Sequence, residues 1–410
     1  MLKIGEKKKL LWLSDGCMIP TGYSTISRKL CNYLVDYGWE IHYLCHTGQQ
    51  QTFKPGTELE DGEKFNFWVH GNGMQPYCRD IIMPKIRELK PHVFGVLLDT
   101  FMLKQADYLN VDFAPAKSVF YYPSDGGGGL KDGKLVKGVG CRLPLSCEQI
   151  LRKFDLSIAM SQFAQIQSKE VHGVDSIMIP HAVEPEVYKP LSAEEKVLLR
   201  RKWGLEGKFV IGCVARNQGR KMLDRTINAM KLIAEKIPNA ILLLHTDPHD
   251  PAGYFDMPLL INDLNLNNRV RFTGTKWFKG FDYRNMNEVY NLMDLFVLGT
   301  SGEGFGIPII EAMSCAIPVL VTDYTTTWEL VERTKSGEAI KKEGELMGNW
   351  AVGRATVDIK DFADKVVKMY ENPLLRKEYG LNGRSAVLSE YNWQTVSKKF
   401  NEVLTKLANA

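Results

Sequence analysis

The strongest constraint on the fold is the alternation of short, mostly apolar runs with longer stretches of helical spacing. Leu10–Leu13, Ile41–Cys45 and Val93–Leu98 are runs of this kind. Runs that are apolar at nearly every position are typical of parallel strands covered by helices on both faces. The sequence therefore predicts an α/β protein built on parallel sheets. Further strands are expected at Ser118–Tyr122, Ile158–Met160, Ile177–Ile179, Phe209–Val214, Ala240–His245, Val270–Phe272, Leu295–Leu298 and Pro318–Val321.

The chain is long enough to need two domains. It has 410 residues, and a single core rarely grows past about 250–300 residues. The pattern of strands and helices is interrupted near Pro185 and starts again near Gly207. This predicts one domain over residues 1–185 and a second over 207–390. Ligands of parallel sheets bind outside the carboxyl ends of the strands, so the loops that follow strands are the informative ones.

The composition indicates which kinds of partner and which cellular compartment to expect. The 52 Lys and Arg residues against 48 Asp and Glu give a net charge of +4, which is too balanced to indicate nucleic-acid binding. The 8 cysteines form no C-x-x-C pair and are expected to be buried in a reducing compartment. No apolar stretch approaches the ~18–20 residues of a membrane span. No signal peptide is visible, so we expect a cytoplasmic protein with at most peripheral membrane contact.

The loop from Glu303 to Glu311 combines two glycines with a carboxylate at each end. It follows the expected strand Leu295–Leu298 and enters a helix at Pro308. Its glycines let a ligand approach the backbone, and the free N–H groups of a helix N-terminus suit phosphate. Both carboxylates can accept hydrogen bonds from the paired hydroxyls of ribose or a hexose. The alternative is a surface Glu303 and a Glu311 that only complements the helix dipole.

A second loop, Ala215–Lys221, follows the expected strand Phe209–Val214 and carries three cations. Arg216 offers a planar fork and Lys221 a point charge, and both suit a diphosphate. Arg220 either shares this role or points to solvent. The alternative for the whole loop is a solvated basic turn.

These two loops resemble motifs of the retaining GT-B glycosyltransferases, particularly family 4, the glycosyl transferases of group 1. The family pattern E-G-F-G-x-P-x-x-E-A-M-A-x-G-x-P-V is matched almost residue for residue by the run from Glu303 to Val319. Arg216 and Lys221 match the family's G-R-x4-K, with Ala215 where glycine is usual. Shorter matches follow the family order at Asp155–Ser161, Ile179–Glu184, Val270–Gly274, Glu329–Val331 and Tyr391–Val396. The resemblance is strong over about residues 155–400 and weak before them.

The resemblance implies a GT-B fold, in which two Rossmann-like domains face each other across a cleft and a C-terminal helix, here residues 391–410, returns to the N-terminal domain. It implies transfer of a hexose from a nucleotide diphosphate sugar to a hydroxyl of a glycan, lipid-linked or small-molecule acceptor, with retention of anomeric configuration. No cofactor or metal is expected. The absence of a D-x-D motif in the sequence disfavours the metal-dependent GT-A architecture.

The resemblance also assigns roles to residues on the donor side. Arg216 and Lys221 neutralise the pyrophosphate, Glu303 contacts hydroxyls of the donor sugar, and Glu311 contacts the ribose. The intervening loop joins the donor site through Gly304, Phe305, Gly306 and Ile307. Arg216, Lys221 and Glu311 are polar residues of a cleft loop, which contribute little to a core. Folding is therefore expected to tolerate alanine at each of these three positions.

Further candidates lie outside these two loops. Gly22 keeps one glycine of the family loop whose backbone faces the donor phosphates, although the preceding Thr21 is equally suited to cap a helix. Asp99 and Asp125 each follow an expected strand and are candidates for the sugar or acceptor side, or plain turn residues. The nucleotide base is expected beside Thr275, Lys276 or Trp277, with core packing as the alternative for the tryptophan.

Two other functions remain open from the sequence. One is a phosphorylase or a sugar-phosphate-synthesising transferase with the same fold. The other is a catalytically silent subunit that binds a partner, although such a subunit need not keep Arg216, Lys221, Glu303 and Glu311 together.

Overall fold

A computed structural model describes residues 7–48, 50–58, 64–131, 134–137, 145–276 and 280–410. The strands are, in chain order, β1 (Lys9–Ser14), β2 (Glu40–Cys45), β3 (Thr57–Glu58), β4 (Lys64–Phe65), β5 (Trp68–His70), β6 (Val93–Leu97), β7 (Lys117–Tyr122), β8 (Gly128–Lys131), β9 (Lys134–Lys137), β10 (Leu156–Ala159), β11 (Ile177–Met178), β12 (Phe209–Val214), β13 (Ala240–His245), β14 (Val270–Phe272), β15 (Leu295–Leu298), β16 (Val319–Thr322), β17 (Gly337–Ile340), β18 (Lys342–Met347) and β19 (Gly353–Val357).

The helices alternate with these strands as the sequence pattern predicts. They are α1 (Gly22–Asp36), α2 (Ile82–Leu89), α3 (Thr100–Gln105), α4 (Leu145–Lys153), α5 (Gln162–His172), α6 (Ala193–Lys202), α7 (Leu223–Lys236), α8 (Met257–Asp263), α9 (Tyr283–Asn291), α10 (Ile307–Ser314), α11 (Thr325–Thr334), α12 (Ile359–Glu371), α13 (Pro373–Ser389) and α14 (Trp393–Ala408). None of the described helices is both long enough and apolar enough to cross a bilayer.

The chain divides into two compact units. The first unit holds Met1–Ser124, Arg142–His181 and Trp393–Ala410, and the second holds Asp125–Cys141 and Ala182–Asn392. The helix α14 therefore belongs to the first unit. The segment expected to be an interdomain connection, residues 185–207, belongs to the second unit, where Leu199 and Leu205 pack against Val210 and Ile241.

The first unit is built on a parallel sheet with the order β11-β10-β7-β6-β1-β2-β5. Both faces of β1 are covered. Leu11 and Leu13 enter one hydrophobic cluster, while the indole of Trp12 donates to Ser27 of α1 at 3.0 Å. Two-sided burial explains why this strand is apolar at consecutive positions.

The second unit is built on a parallel sheet with the order β14-β13-β12-β15-β16-β17. Two antiparallel hairpins, β8–β9 and β18–β19, belong to the same unit. The expected α/β class with two parallel sheets is thus confirmed, with strand limits within about two residues of the expected ones. The expected strands do not include the short edge strands β5 and β17 or the two hairpins.

Candidate donor-binding site

The candidate residues of the second unit lie at the switch point of its sheet. The strand β12 has β13 on one side and β15 on the other, so the loops that leave β12 and β15 diverge over opposite faces of the sheet. Such a divergence opens a crevice at the carboxyl ends of the strands, where ligands of open parallel sheets bind. Arg216 and Lys221 follow β12, and Glu303 follows β15.

Arg216 is held by an aspartate that the sequence analysis did not single out as a partner. Its Nε donates to Oδ2 of Asp250 at 2.6 Å and its Nη2 to Oδ1 at 3.2 Å. The hydrogen bond from Arg216 lowers the pKa of Asp250. The aspartate is buried, whereas the Arg216 side chain is 46% exposed. Asp250 thus orients the guanidinium while leaving it open to solvent.

Lys221 and Arg220 both contact Glu303. They lie in the 3-10 turn Gly219–Lys221. The ammonium of Lys221 is 2.6 Å from Oε1 of Glu303, and Nη1 of Arg220 is 3.1 Å from Oε2. Thr300 also donates its hydroxyl to Oε1 at 2.9 Å. The loops after β12 and β15 are therefore joined by two cations that pair with one carboxylate. Lys221 and Glu303 are buried, whereas the Arg220 side chain is 36% exposed.

The charges around Glu303 keep its carboxylate ionised. Burial acts to raise the pKa of Glu303, but the charges of Lys221 and Arg220 outweigh it and lower the pKa to about 2. Glu303 is therefore an anion throughout the neutral range. A carboxylate offers about four lone-pair sites, and Oε1 already accepts from both Lys221 and Thr300, so the remaining accepting capacity lies at Oε2.

The backbone of the Glu303 loop turns through two glycines in conformations that disfavour side chains. Gly302 has φ +149°, and a Cβ there would lie 2.1 Å from the carbonyl oxygen of Asp125. Gly306 has φ +100° and precedes the first residue of α10. Two threonines fix the loop from α11. The hydroxyl of Thr325 accepts from the Glu303 backbone N–H at 3.1 Å, and Thr326 donates to the Gly304 carbonyl at 3.1 Å.

The other residues of this loop differ in how far they are buried. The Phe305 side chain is buried, and its ring centroid is 6.0 Å from that of Tyr391. It therefore packs in the interior, and its backbone is the part available to a ligand. Gly304 and Ile307 are half-buried, so they remain available at the start of α10.

Glu311 lies one turn into α10. No acidic residue lies in the first turn of this helix, so complementing the helix dipole does not explain Glu311. Its Oε2 accepts from the hydroxyl of Tyr290 at 2.5 Å. Burial raises the pKa of Glu311, while hydrogen bonds from Tyr290 and Tyr188 oppose the shift. The carboxylate is thus oriented from one side by a fully buried tyrosine.

Asp125 lies in the second unit and carries an arginine partner there. Its Oδ2 is 2.9 Å from Nη2 of Arg354, and its carbonyl oxygen also accepts from Arg354. That carbonyl is the atom that Gly302 approaches. Asp125 therefore supports the loop that carries Glu303, and a contact with sugar or acceptor stays a prediction.

The remaining candidates lie in the first unit or beside β14. Gly22 is the exposed first residue of α1, and Thr21 caps that helix by accepting from Ser24 N–H at 3.1 Å. The carboxylate of Asp99 accepts from the Tyr23 hydroxyl at 2.7 Å. Beyond β14, Thr275 is buried and Lys276 exposed, while Trp277 lies outside the described residues.

Several residues that complete the site were not predicted. Asp250 lies in the loop that follows β13. It could have been predicted, because polar residues in the loops after strands are candidates for a site. Thr300 also follows a strand, but threonine is too common there to be informative. The role of Tyr290 could not be predicted from the sequence, because its position in the helix α9 is that of an ordinary core residue. No group of three or more metal-binding side chains occurs within the described ranges, and metal independence stays a prediction.

Comparisons with known proteins agree with this arrangement. Residues 196–386 match the family model for glycosyl transferases group 1. Among solved structures, the chain is similar to sucrose-phosphate synthase from Thermosynechococcus elongatus, with a TM-score of 0.75, 16% identity and coverage of 98% of this chain and 99% of that one. It is also similar to the Anabaena protein HepE bound to UDP and glucose, with a TM-score of 0.70, 17% identity and coverage of 97% and 100%.

The similarity to curated relatives covers a smaller share of each chain. A GDP-mannose-dependent mannosyltransferase of Corynebacterium glutamicum, which acts on a monoacylated phosphatidylinositol monomannoside, is 24% identical over 65% of this chain and 67% of its own length. Mannosylfructose-phosphate synthase of Agrobacterium fabrum is 27% identical over 43% of this chain and 38% of its own length. The matched segments thus span from about two fifths to two thirds of these relatives.

The two parallel sheets and the similarity to these solved structures show that the chain has the GT-B fold. Within that fold, the residues that match the glycosyl transferases group 1 model, 196–386, lie in the second unit.

Proposed function

We propose that the protein is a retaining hexosyltransferase that moves a sugar from a nucleotide diphosphate sugar to an acceptor hydroxyl. The observation that carries this proposal is the cluster of Lys221, Arg220 and Glu303 at the switch point of the second sheet, with Arg216 beside it. It combines positive charge for a diphosphate with a carboxylate for sugar hydroxyls. Such a combination fits a donor that carries both groups.

In the proposed reaction, the bond between C1 of the sugar and the β-phosphate oxygen breaks, and the diphosphate leaves with the bonding electrons. Arg216 and Lys221 stabilise the charge that develops on it. The N–H groups at the start of α10 offer further donors to phosphate. Glu303 binds hydroxyls of the sugar and Glu311 those of the ribose. The acceptor oxygen bonds to C1, and its proton leaves with the diphosphate.

The named relatives support the type of donor. The Corynebacterium glutamicum enzyme is named as dependent on GDP-mannose, and the HepE structures contain UDP and glucose or UDP-glucose. Each of these donors joins a sugar to a nucleoside diphosphate, for which the cations and carboxylates of this chain are suited.

A thermal-shift screen with UDP, GDP, ADP and their sugars tests the proposal. A ligand that binds only the folded state at 100 times its Kd raises stability by about 2.7 kcal/mol. We expect one nucleotide family to raise the melting temperature and its sugar conjugate to be hydrolysed slowly without acceptor. Stabilisation by a nucleotide without any turnover of its sugar conjugate would instead indicate a silent binding subunit.

A transferase that makes a sugar phosphate is a second candidate. Similarity to sucrose-phosphate synthase and to mannosylfructose-phosphate synthase favours it, since both names describe phosphorylated sugar products. Screening hexose phosphates against neutral sugars and glycolipids, with the same labelled donor, separates the two candidates.

A further inference from the structure

Polar residues follow three adjacent strands of the first sheet, in the unit that does not hold the donor-site cluster. Asp15 follows β1, His46 follows β2, and Asp99 lies two residues after β6. The strand β1 lies between β6 and β2, so these residues gather at the switch point of this sheet, where a ligand crevice is expected.

Asp15 fixes the orientation of the His46 ring. Nε2 of His46 is 2.8 Å from Oδ1 of Asp15, and the Thr21 hydroxyl donates to Oδ2 at 2.5 Å. The Tyr43 hydroxyl donates to the Asp15 carbonyl at 2.6 Å. An ionised carboxylate only accepts hydrogen bonds, so Nε2 carries a proton. In the neutral imidazole, Nδ1 is therefore a hydrogen-bond acceptor.

The Nδ1 atom of His46 is available to a ligand. The side chain is only 7% exposed, and its ring lies against Tyr77 with centroids 5.1 Å apart. Within the described part of the chain, no group is hydrogen-bonded to Nδ1. Nδ1 is also not among the enclosed side-chain atoms that lack a partner in those ranges. A nearly buried ring, held at one nitrogen, thus presents the other to its surroundings.

Tyr77, whose ring packs against His46, lies within electrostatic range of the Asp99 carboxylate. Its backbone is left-handed, with φ +54°, and so is that of Cys78, with φ +60°. Strained non-glycine residues of this kind concentrate at functional sites. Burial, followed by the charges of Asp99 and Asp15, raises the pKa of Tyr77. The phenol therefore lies near both carboxylates.

We propose that His46 is an acceptor-binding residue, with its Nδ1 accepting a hydrogen bond from an acceptor hydroxyl, and that Asp15 is the positioning residue that orients the ring. Tyr77 and Asp99 bind further hydroxyls of the same molecule. None of these four residues is a cation, so they suit a neutral polyhydroxylated acceptor, a sugar or polyol, better than an anionic group. This inference rests on the proposed transferase function.

Two substitutions of His46 separate ligand binding from a structural role. Glutamine extends its amide to the position of Nε2, so His46→Gln keeps a partner for Asp15 and loses Nδ1. Asparagine places its amide near Nδ1, so His46→Asn does the reverse. If Nδ1 binds the acceptor, His46→Gln has the weaker acceptor binding. If the ring only holds Asp15 in position, His46→Asn loses more activity than His46→Gln.

The assay uses labelled UDP-glucose and GDP-mannose as donors, and methyl α-glucopyranoside, methyl α-mannopyranoside, myo-inositol and fructose 6-phosphate as acceptors. Loss of one neutral hydrogen bond corresponds to about a tenfold change. We therefore expect His46→Gln to raise the KM of the acceptor used by the wild type about tenfold relative to the donor KM. His46→Asn should stay closer to wild type, and Asp15→Asn should raise the acceptor KM as well. Circular dichroism checks the fold of each variant.

Three results would overturn the inference. The first is the reverse order of the two His46 variants. The second is a wild-type enzyme that hydrolyses donor but transfers to none of the neutral acceptors, which leaves the proposed transferase function standing. The third is a wild type that neither hydrolyses donor nor transfers sugar, which removes the proposed function and the inference together.

Discussion

Arg216 is the residue whose removal isolates the charge effect on the diphosphate, because its side chain is half exposed and outside the core. Arg216→Ala should lower kcat by about 10²–10³-fold, the usual effect of losing one electrostatic donor from a transition state. Steady-state kinetics measures the change. Arg201→Ala is a matched control, since Arg201 pairs with Glu206 on the surface at 65% exposure, and its kcat should match wild type. Wild-type turnover in Arg216→Ala would refute the assigned site.

Lys221 differs from Arg216 in what its loss does to the fold. The sequence predicted that folding tolerates alanine at both positions, but Lys221 is only 8% exposed and lies against the buried Glu303. Lys221→Ala leaves that carboxylate with Arg220 as its cationic partner and Thr300 as a neutral donor. Removing one partner of a buried ion pair typically costs about 3–5 kcal/mol, so the prediction for Lys221 is revised to a clear loss of stability alongside the loss of kcat.

The pKa of Glu303 predicts how stability depends on pH. Folding lowers this pKa from 4.5 to about 2, so the ionised group stabilises the folded state fully above pH 4.5 and loses its contribution as the pH falls towards 2. The size is about 3 kcal/mol. Urea denaturation from pH 7 to pH 2.5 should show this decline in wild type. Glu303→Gln should be less stable at pH 7 and should lack this part of the decline. Parallel curves for the two proteins would contradict the ion-pair assignment.

Glu311 should affect binding more than turnover. Its proposed contact with ribose is made equally in the ground state and the transition state, so Glu311→Ala should raise the donor KM about tenfold with little change in kcat. Tyr290→Phe removes the hydroxyl that orients Glu311 and should raise the donor KM by a smaller factor. A loss confined to kcat in Glu311→Ala would place this carboxylate at the reacting centre instead.

At the level of elements, the Glu303 loop depends on a close approach between two segments. A Cβ on Gly302 would lie 2.1 Å from the Asp125 carbonyl oxygen, in a backbone conformation that disfavours any side chain. Gly302→Ala should therefore displace the loop and reduce nucleotide binding, as measured by thermal shift. Gly344→Ala is the matched control, because its nearest neighbour is a Thr356 hydroxyl at 3.4 Å. Equal nucleotide binding by both variants would show that the loop does not need this approach.

The same elements show how far sequence reasoning reached. Runs such as Phe209–Val214 were predicted because burial on both faces demands apolar residues at every position. Trp68–His70 and Gly337–Ile340 were missed because histidine, glutamate or glycine interrupts the apolar residues in each of them. The cations of the Ala215–Lys221 loop and the Glu303 carboxylate were identified from their positions after strands together with the family motifs that they match. Their mutual pairing was not, because it depends on how closely two loops from neighbouring strands approach.

For the whole molecule, the prediction that most sharply tests the proposed mechanism is the stereochemistry of the product. We expect the anomeric configuration of the donor sugar to be retained, as the resemblance of the run Glu303–Val319 to the retaining family implies. NMR of the transfer product measures the one-bond coupling constant between C1 and its proton, which distinguishes the two anomers. An inverted anomer would contradict the proposed mechanism while leaving the GT-B fold untouched.

The order of the two units along the chain has a consequence for recombining this protein with its relatives. The backbone passes from one unit to the other after Ser124, Cys141, His181 and Asn392. A donor-binding cassette cut at residues 182–392 would leave behind Asp125, and with it the partner of Arg354 and the carbonyl that borders Gly302. A chimaera that exchanges the cassette must therefore carry residues 125–141 from the same parent. Under the proposed function, donor specificity is therefore encoded by two separate pieces of sequence, residues 125–141 and 182–392.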